Sequence, residues 1–181
     1  MPADRDDVEA VAQLLGRQPQ GRFEVVVRGA DCGPVVIRND PLLGDGTPMP
    51  TRHWLVGAAE RAAVSRLEAA GGVAKAEAAV PADELAAAHR RAAAEREAAM
   101  PEGWEGPRPT GGVGGTRVGV KCLHCHYADF LTGQVWLRSA SGATRVRGSL
   151  ANITSFGLSS TNEIWAVTYG GGLYALKFAR V

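Results

Sequence analysis

The sequence predicts an α+β fold: a short β-hairpin with Ala-rich helices, followed by a β-rich antiparallel C-terminal segment. Three observations carry this expectation. Residues 23–38 hold two β-branched runs around a Gly-containing turn. Residues 58–100 contain 19 Ala, the residue with the highest helix propensity. From residue 134 onward, apolar and polar residues alternate in short runs, as half-buried strands require.

The elements follow in order. Asp4, Asp6 and Asp7 precede Val8, Val11, Leu14 and Leu15, and Gly16 follows. Acidic residues suit a helix N-terminus and Gly its end, so residues 4–15 are predicted to form a short amphipathic helix. Phe23 to Arg28 and Pro34 to Arg38 read as the hairpin strands, with Cys32 in their connection. Residues 39–50 form a loop punctuated by Pro and Gly, and His53 to Val56 fit a third short strand. Ala58 to Ala70 is helical, and Gly71-Gly72 interrupts it. A further helix starts after Pro81 and runs to about Met100, where Pro101 stops it. Its few large apolar residues predict loose packing or projection into solvent. Residues 101–117 read as a flexible linker. The GGVGG phrase inside it lacks the Gly-Lys-Ser/Thr of a phosphate loop. Val118 to Thr132 is predicted helical, with Gly133 as its C-cap. Strands are then expected at 135–137, 143–147, 163–169 and 173–178, with turns at 160–162 and 170–172.

Composition bounds the function. The 181 residues carry 20 Lys plus Arg and 19 Asp plus Glu, a net charge of +1. That balance argues against a nucleic-acid binder. The average conceals a seam. Residues 1–133 hold 15 basic and 18 acidic residues and every Cys and His; residues 134–181 hold 5 basic and 1 acidic. Six of the eleven aromatics also fall after the seam, so two units, 1–133 and 134–181, are expected. No apolar run reaches 18 residues, so no membrane helix is expected. The first 20 residues are charged and lack an apolar stretch, so no secretory signal and a cytoplasmic location are expected. Three Cys are too few and too odd for a disulfide scaffold. No GxSxG, HExxH or Walker pattern occurs, so no catalytic residue is nominated by motif. Asn152-Ile153-Thr154 matches a glycosylation sequon, which means little without a signal peptide. Glu95 and Glu97 read as a solvated helical face.

One segment carries chemistry: Lys121-Cys122-Leu123-His124-Cys125-His126-Tyr127-Ala128-Asp129. On a helix, Cys122, Cys125, His126 and Asp129 share about 100° of one face, and His124 falls beside the apolar face. Thiolate, imidazole and carboxylate are zinc ligands, and i, i+3 and i+4 positions can converge on one ion. A single helix rarely supplies four ligands, so Cys32 in the hairpin turn is the expected donor from elsewhere. The scheme is Cys32, Cys122, Cys125 and His126, with Asp129 as substitute or support. Such a zinc site contributes on the order of 10 kcal/mol to a small core. The bland alternative makes the thiols ordinary buried groups. A third alternative is thiol redox chemistry, against which stands the predicted helix start at Val118, which buries Cys122 inside the helix.

Residues 8–133 resemble a bacterial family called domain of unknown function 501, common in actinobacteria. The phrases are Asp45 to Thr51 (DGTPMPT), Ala62 to Val73 (AAVSRLEAAGGV), Ala87 to Arg91 and Val120 to His124 (VKCLH). The resemblance implies a small intracellular protein with no assigned reaction. It also implies that Cys32, Cys122 and His124 correspond to family positions, and that Asp129 stands where relatives carry His. On that pattern Cys32, Cys122, His124 and position 129 are the candidate ligands, whereas helix geometry favours Cys125 and His126. Residues 143–178 separately resemble the last blade of a sugar-dehydrogenase-type β-propeller, on the phrases at 148–157, 163–165 and 169–174, though a single blade cannot bury both faces.

Three functional readings follow. The first is a non-enzymatic binding module, zinc-stabilised, whose C-terminal strands pair with a protein partner or with another copy. The second is a metal-dependent enzyme with Asp129 or His53 handling protons. The third is a thiol-redox regulator using Cys122 and Cys125.

Overall fold

The computed structural model describes residues 2–132 in full, and beyond them the backbone of five strands. Two compact units divide the chain, Met1–Asp129 and Phe130–Val181. The first has the α+β architecture expected from the sequence.

Helix α1 spans Arg5–Leu15. Asp4 caps it, its carboxylate accepting from the Asp7 N–H at 2.8 Å, and Gly16 ends it in the left-handed region at φ 70°. Strands β1 (Phe23–Arg28), β2 (Pro34–Asn39) and β3 (His53–Leu55) form one antiparallel sheet in the order β1-β2-β3. The register pairs Phe23 with Asn39 and Val25 with Ile37; on the other edge Arg38 pairs with His53. As the central strand, β2 is buried from Pro34 to Ile37, on both faces. This explains its unbroken apolar run, where β1 carries an irregularity at Val25–Val27. Helix α1 packs on this sheet. Val11, Phe23, Ile37 and Val56 form the core, with Leu14, Leu15, Val25 and Trp54 against it. Each fully buried aliphatic side chain contributes about 1.5–3 kcal/mol.

The helical region differs from expectation in three places. Helix α2 (Ala58–Ala69) ends before Gly71, whose φ is 78°, and a short helix α3 (Gly72–Ala79) follows where only an interruption was expected. Helix α4 (Ala82–Ala98) does not project. It buries His89, Ala92 and Arg96, so its inward face is held by hydrogen bonds more than by apolar area. The partner of that face is the stretch expected to be a free linker. Val113 is 4 % exposed, and a one-turn 3-10 helix runs over Val113–Gly115. Arg96 reaches the carbonyls of Pro50 at 2.8 Å and of Gly111, and His89 bonds the Val113 N–H at 3.1 Å.

The third difference bears on the site. Helix α5 spans Leu123–Leu131 and does not start at Val118. Gly119 adopts φ 71°, a left-handed conformation that stops helix propagation. A Cβ there would meet the Glu77 carboxylate at 2.4 Å, so the loop closes tightly on α3. In the second unit the strands are β4 (Gln134–Ser139), β5 (Gly142–Ser149), β6 (Ile153–Leu158), β7 (Ile164–Thr168) and β8 (Leu173–Leu176). They form an antiparallel pair β4-β5 and an antiparallel sheet β6-β7-β8. The strand β6 was not among the expected strands. The expected C-cap at Gly133, the turns at 160–162 and 170–172, and Asn152 of the sequon lie outside the described residues. Among the described residues, no helix is long and apolar enough to cross a membrane.

Candidate functional site

The start of α5 is built by carboxylates from two other helices. Glu68 of α2 accepts from the Leu123 N–H at 2.5 Å, and Glu77 of α3 accepts from the Val120 N–H at 2.6 Å. A helix N-terminus leaves unpaired N–H groups and a positive partial charge, and Glu68 answers both. Glu68 also lies 3.1 Å from Nδ1 of His124, whose Nε2 is 3.1 Å from the Ser65 hydroxyl. His124 is thus fixed between two residues of α2.

Cys122 sits immediately before the first helical residue, where the Cys125 N–H of the first turn reaches its sulfur. Its Sγ is 3.2 Å from that of Cys125. The Cys122 thiol is lowered to about 6. The Cys125 thiol is the main cause, because it donates to the Cys122 thiolate. The Cys125 backbone N–H and the nearby His124 lower it further, while burial and Glu68 oppose the shift. Cys125 moves in the opposite direction. Its proton is held by the bond to Cys122, by burial and by the Cys122 charge. The two thiols therefore differ in acidity, with Cys122 the more acidic. Gly114 packs on the sulfur so closely that a Cβ there would lie 3.1 Å from Cys125 Sγ.

Beside α5 a small, partly open crevice is lined by Arg52, His53, Ala92, residues 112–114, Cys125 and Asp129. His53 is 5 % exposed. Its Nδ1 is 3.0 Å from the Asp129 carboxylate and its Nε2 is 3.7 Å from Glu95, which also lies 3.7 Å from Arg52 Nε. Burial pulls the Arg52 guanidinium below its ordinary value, and Glu95 opposes that.

Among the described residues, two groups bring ligand-type atoms within 4.8 Å of one another: Glu68, Cys122 and His124; and His53, Glu95 and Asp129. Of the residues nominated from the sequence, Cys122, His124 and Cys125 come together at the start of α5. Asp129 joins His53 in the cleft instead. Cys32 lies exposed in the hairpin turn at φ 64°, its N–H bonded to Gly29, and belongs to neither group. His126 belongs to neither group as well. It meets His89 edge-on at 6.0 Å, its Nε2 is buried without a hydrogen-bond partner, and burial together with His89 lowers its pKa.

Sequence reasoning missed Glu68 and Glu95. Glu68 was legible as the fourth residue of Ser65-Arg66-Leu67-Glu68, because Ser65 and Glu68 share one helix face at i, i+3. Glu95 was read as solvated, and its side chain is 24 % exposed, whereas that of Glu97 is 60 % exposed. The signal was its place one residue before Arg96 on the face of His89 and Ala92.

The profile of a family described as "protein of unknown function (DUF501)" matches residues 25–137, and the chain belongs to that family. The match starts at β1, later than the resemblance at residue 8 implied, so α1 lies outside it. It also runs into β4. No curated protein and no solved structure matches the chain, so the propeller likeness of residues 143–178 finds no counterpart there.

Proposed function

We propose that this member of the DUF501 family is a dithiol–disulfide exchange module, with Cys122 as the attacking thiolate and Cys125 as the resolving thiol. The observation that carries the reading is the position of Cys122 at the N-terminus of α5, 3.2 Å from Cys125 Sγ. The argument against redox chemistry, that Cys122 lies inside a helix, falls with the helix boundary. Helix N-termini and neighbouring donors are the environments that make a thiol reactive at neutral pH. The substrate class is a disulfide. Cys122 attacks one of its sulfurs, and Cys125 displaces the resulting mixed disulfide. The protein dithiol is oxidised by two electrons while the substrate is reduced.

A second reading, zinc binding at the same helix start, is favoured by the Glu68, Cys122 and His124 atoms within 4.8 Å. Zinc would there be a structural ion for a non-enzymatic module. Both readings use the Cys122 thiolate, and one experiment separates them. Protein carrying Cys32→Ser, purified without chelator, is assayed for zinc and then treated with an oxidised dithiol reagent. The expected outcome is little bound zinc and loss of two hydrogens by mass, with Cys122 and Cys125 joined. One equivalent of zinc, a lower melting temperature in EDTA and no internal disulfide after zinc removal would replace the first reading with the second.

A further inference from the structure

We propose that His53, Glu95 and Asp129 form a binding site for one divalent metal ion of the manganese–iron kind. The site is separate from the helix start that carries Cys122, and it stands or falls independently of the exchange reading.

Three elements of the first unit bring the ligands together. His53 comes from β3, Glu95 from α4 and Asp129 from α5. One nitrogen of His53 and one carboxylate oxygen from each acid lie within 4.8 Å of one another. With metal bonds of about 2.1 Å, two ligands of one ion stand about 3 Å apart at a right angle and about 4 Å apart when opposed. The closest pairs fall in that range. His53 Nδ1 is 3.0 Å from Asp129, and His53 Nε2 is 3.7 Å from Glu95. The second distance is too long for a hydrogen bond. A ring whose side chain is only 4 % exposed thus turns one nitrogen toward a carboxylate without bonding it. A buried polar atom in that position calls for a partner, and an ion shared with the carboxylate is one.

The charge balance suits a cation. Two carboxylates face one guanidinium, that of Arg52, so the group is net negative around an imidazole in its neutral, ligating form. Arg52 does not claim Glu95 through Nε, which is buried and has no hydrogen-bond partner among the described residues. The competing arrangement is a protonated His53 held between the two acids. It has no place for an added ion, so a binding measurement separates the two.

The donor set chooses the ion. One imidazole and two carboxylates, with no thiolate, suit Mn²⁺ and Fe²⁺ better than ions that seek sulfur. The crevice that His53 and Asp129 line is partly open, so water completes the shell. An open position of this sort is what lets a bound ion polarise water or a substrate oxygen. At the start of α5, by contrast, Glu68 and His124 flank a thiol, a set that zinc prefers.

The test uses the full chain, stripped of metal by a chelator that is then removed, with Mn²⁺ as the probe. Free hydrated Mn²⁺ gives a sharp electron paramagnetic resonance signal that is lost on binding, so a titration counts the sites. One equivalent is expected to bind, and the melting temperature is expected to rise with added Mn²⁺. Spin-echo spectra of the bound ion are expected to show coupling to one imidazole nitrogen. Glu95→Gln and Asp129→Asn are each expected to weaken binding by about tenfold or more, in chains that still melt cooperatively without metal. Failure to bind Mn²⁺, or bound Mn²⁺ without imidazole coupling, overturns the inference. Those two readings need no variant, so they decide the matter even where a substitution unfolds the chain. Unaltered affinity in a folded Glu95→Gln chain overturns it as well. Mn²⁺ that is lost in Glu68→Gln but kept in Glu95→Gln belongs to the start of α5 and overturns it too. None of these outcomes bears on disulfide exchange by Cys122 and Cys125.

Discussion

Cys122 differs from an ordinary cysteine through its surroundings alone. A free thiol ionises near pH 8.5, and here the neighbouring Cys125 thiol, the Cys125 backbone N–H and His124 bring it to about 6. The thiolate form is therefore populated above that value and lost below it. In the Cys32→Ser chain, alkylation of Cys122 by iodoacetamide is expected to reach half its maximal rate near pH 6 and to level off above pH 7. A rate still rising through pH 8 would show an unperturbed thiol. The residue types of this site were legible in the sequence, because Cys-x-x-Cys beside two His is an uncommon grouping. Their environments were not. Glu68 lies 55 residues from the Leu123 N–H that it accepts. No local pattern announces a carboxylate that caps another helix. His53 likewise meets Asp129 across 76 residues.

At the scale of elements, local rules succeeded where capping and periodicity agree. The acidic start of α1, the Gly16 terminator, the hairpin and the start of α4 after Pro81 stand where the sequence predicted them. They failed at α4 and α5. Helix α4 lacks an apolar stripe, so its packing was underestimated; a buried guanidinium and a buried imidazole replace the stripe. Arg96 is 3 % exposed and bonds backbone carbonyls of two separate loops, at Pro50 and at Gly111. Arg96→Met keeps much of the volume but takes the guanidinium away from those half-buried carbonyls. The expected loss is about 2–4 kcal/mol of unfolding free energy, read from urea denaturation. A loss below about 0.5 kcal/mol would show that water satisfies the carbonyls and that the arginine does not fasten the loops. Helix α5 was drawn too long at its start, where Gly119 takes φ 71° against the Glu77 carboxylate of α3.

For the whole molecule, the seam in charge and aromatics near residue 133 falls close to the boundary between the two units, at Asp129 and Phe130. The family match ends at residue 137, a few residues beyond it. Limited trypsin digestion is expected to release a protected fragment that keeps residues up to about 133, with cleavage at Arg138 or later basic residues. Equal protection of residues 134–181 would mean that the chain behaves as a single cooperative fold. By itself the sequence determined the α+β class, the hairpin, the Gly16 end of α1 and the family, because each depends on local propensity or on short phrases read in order. Only the tertiary structure decided which end of α5 carries Cys122, which carboxylate caps that end, and that Cys125 shares its cleft with His53 and Asp129. Those facts depend on contacts between residues far apart in the chain, and a left-handed glycine shifted the helix start past Cys122. That shift placed Cys122 just ahead of the first residue of α5 rather than inside the helix.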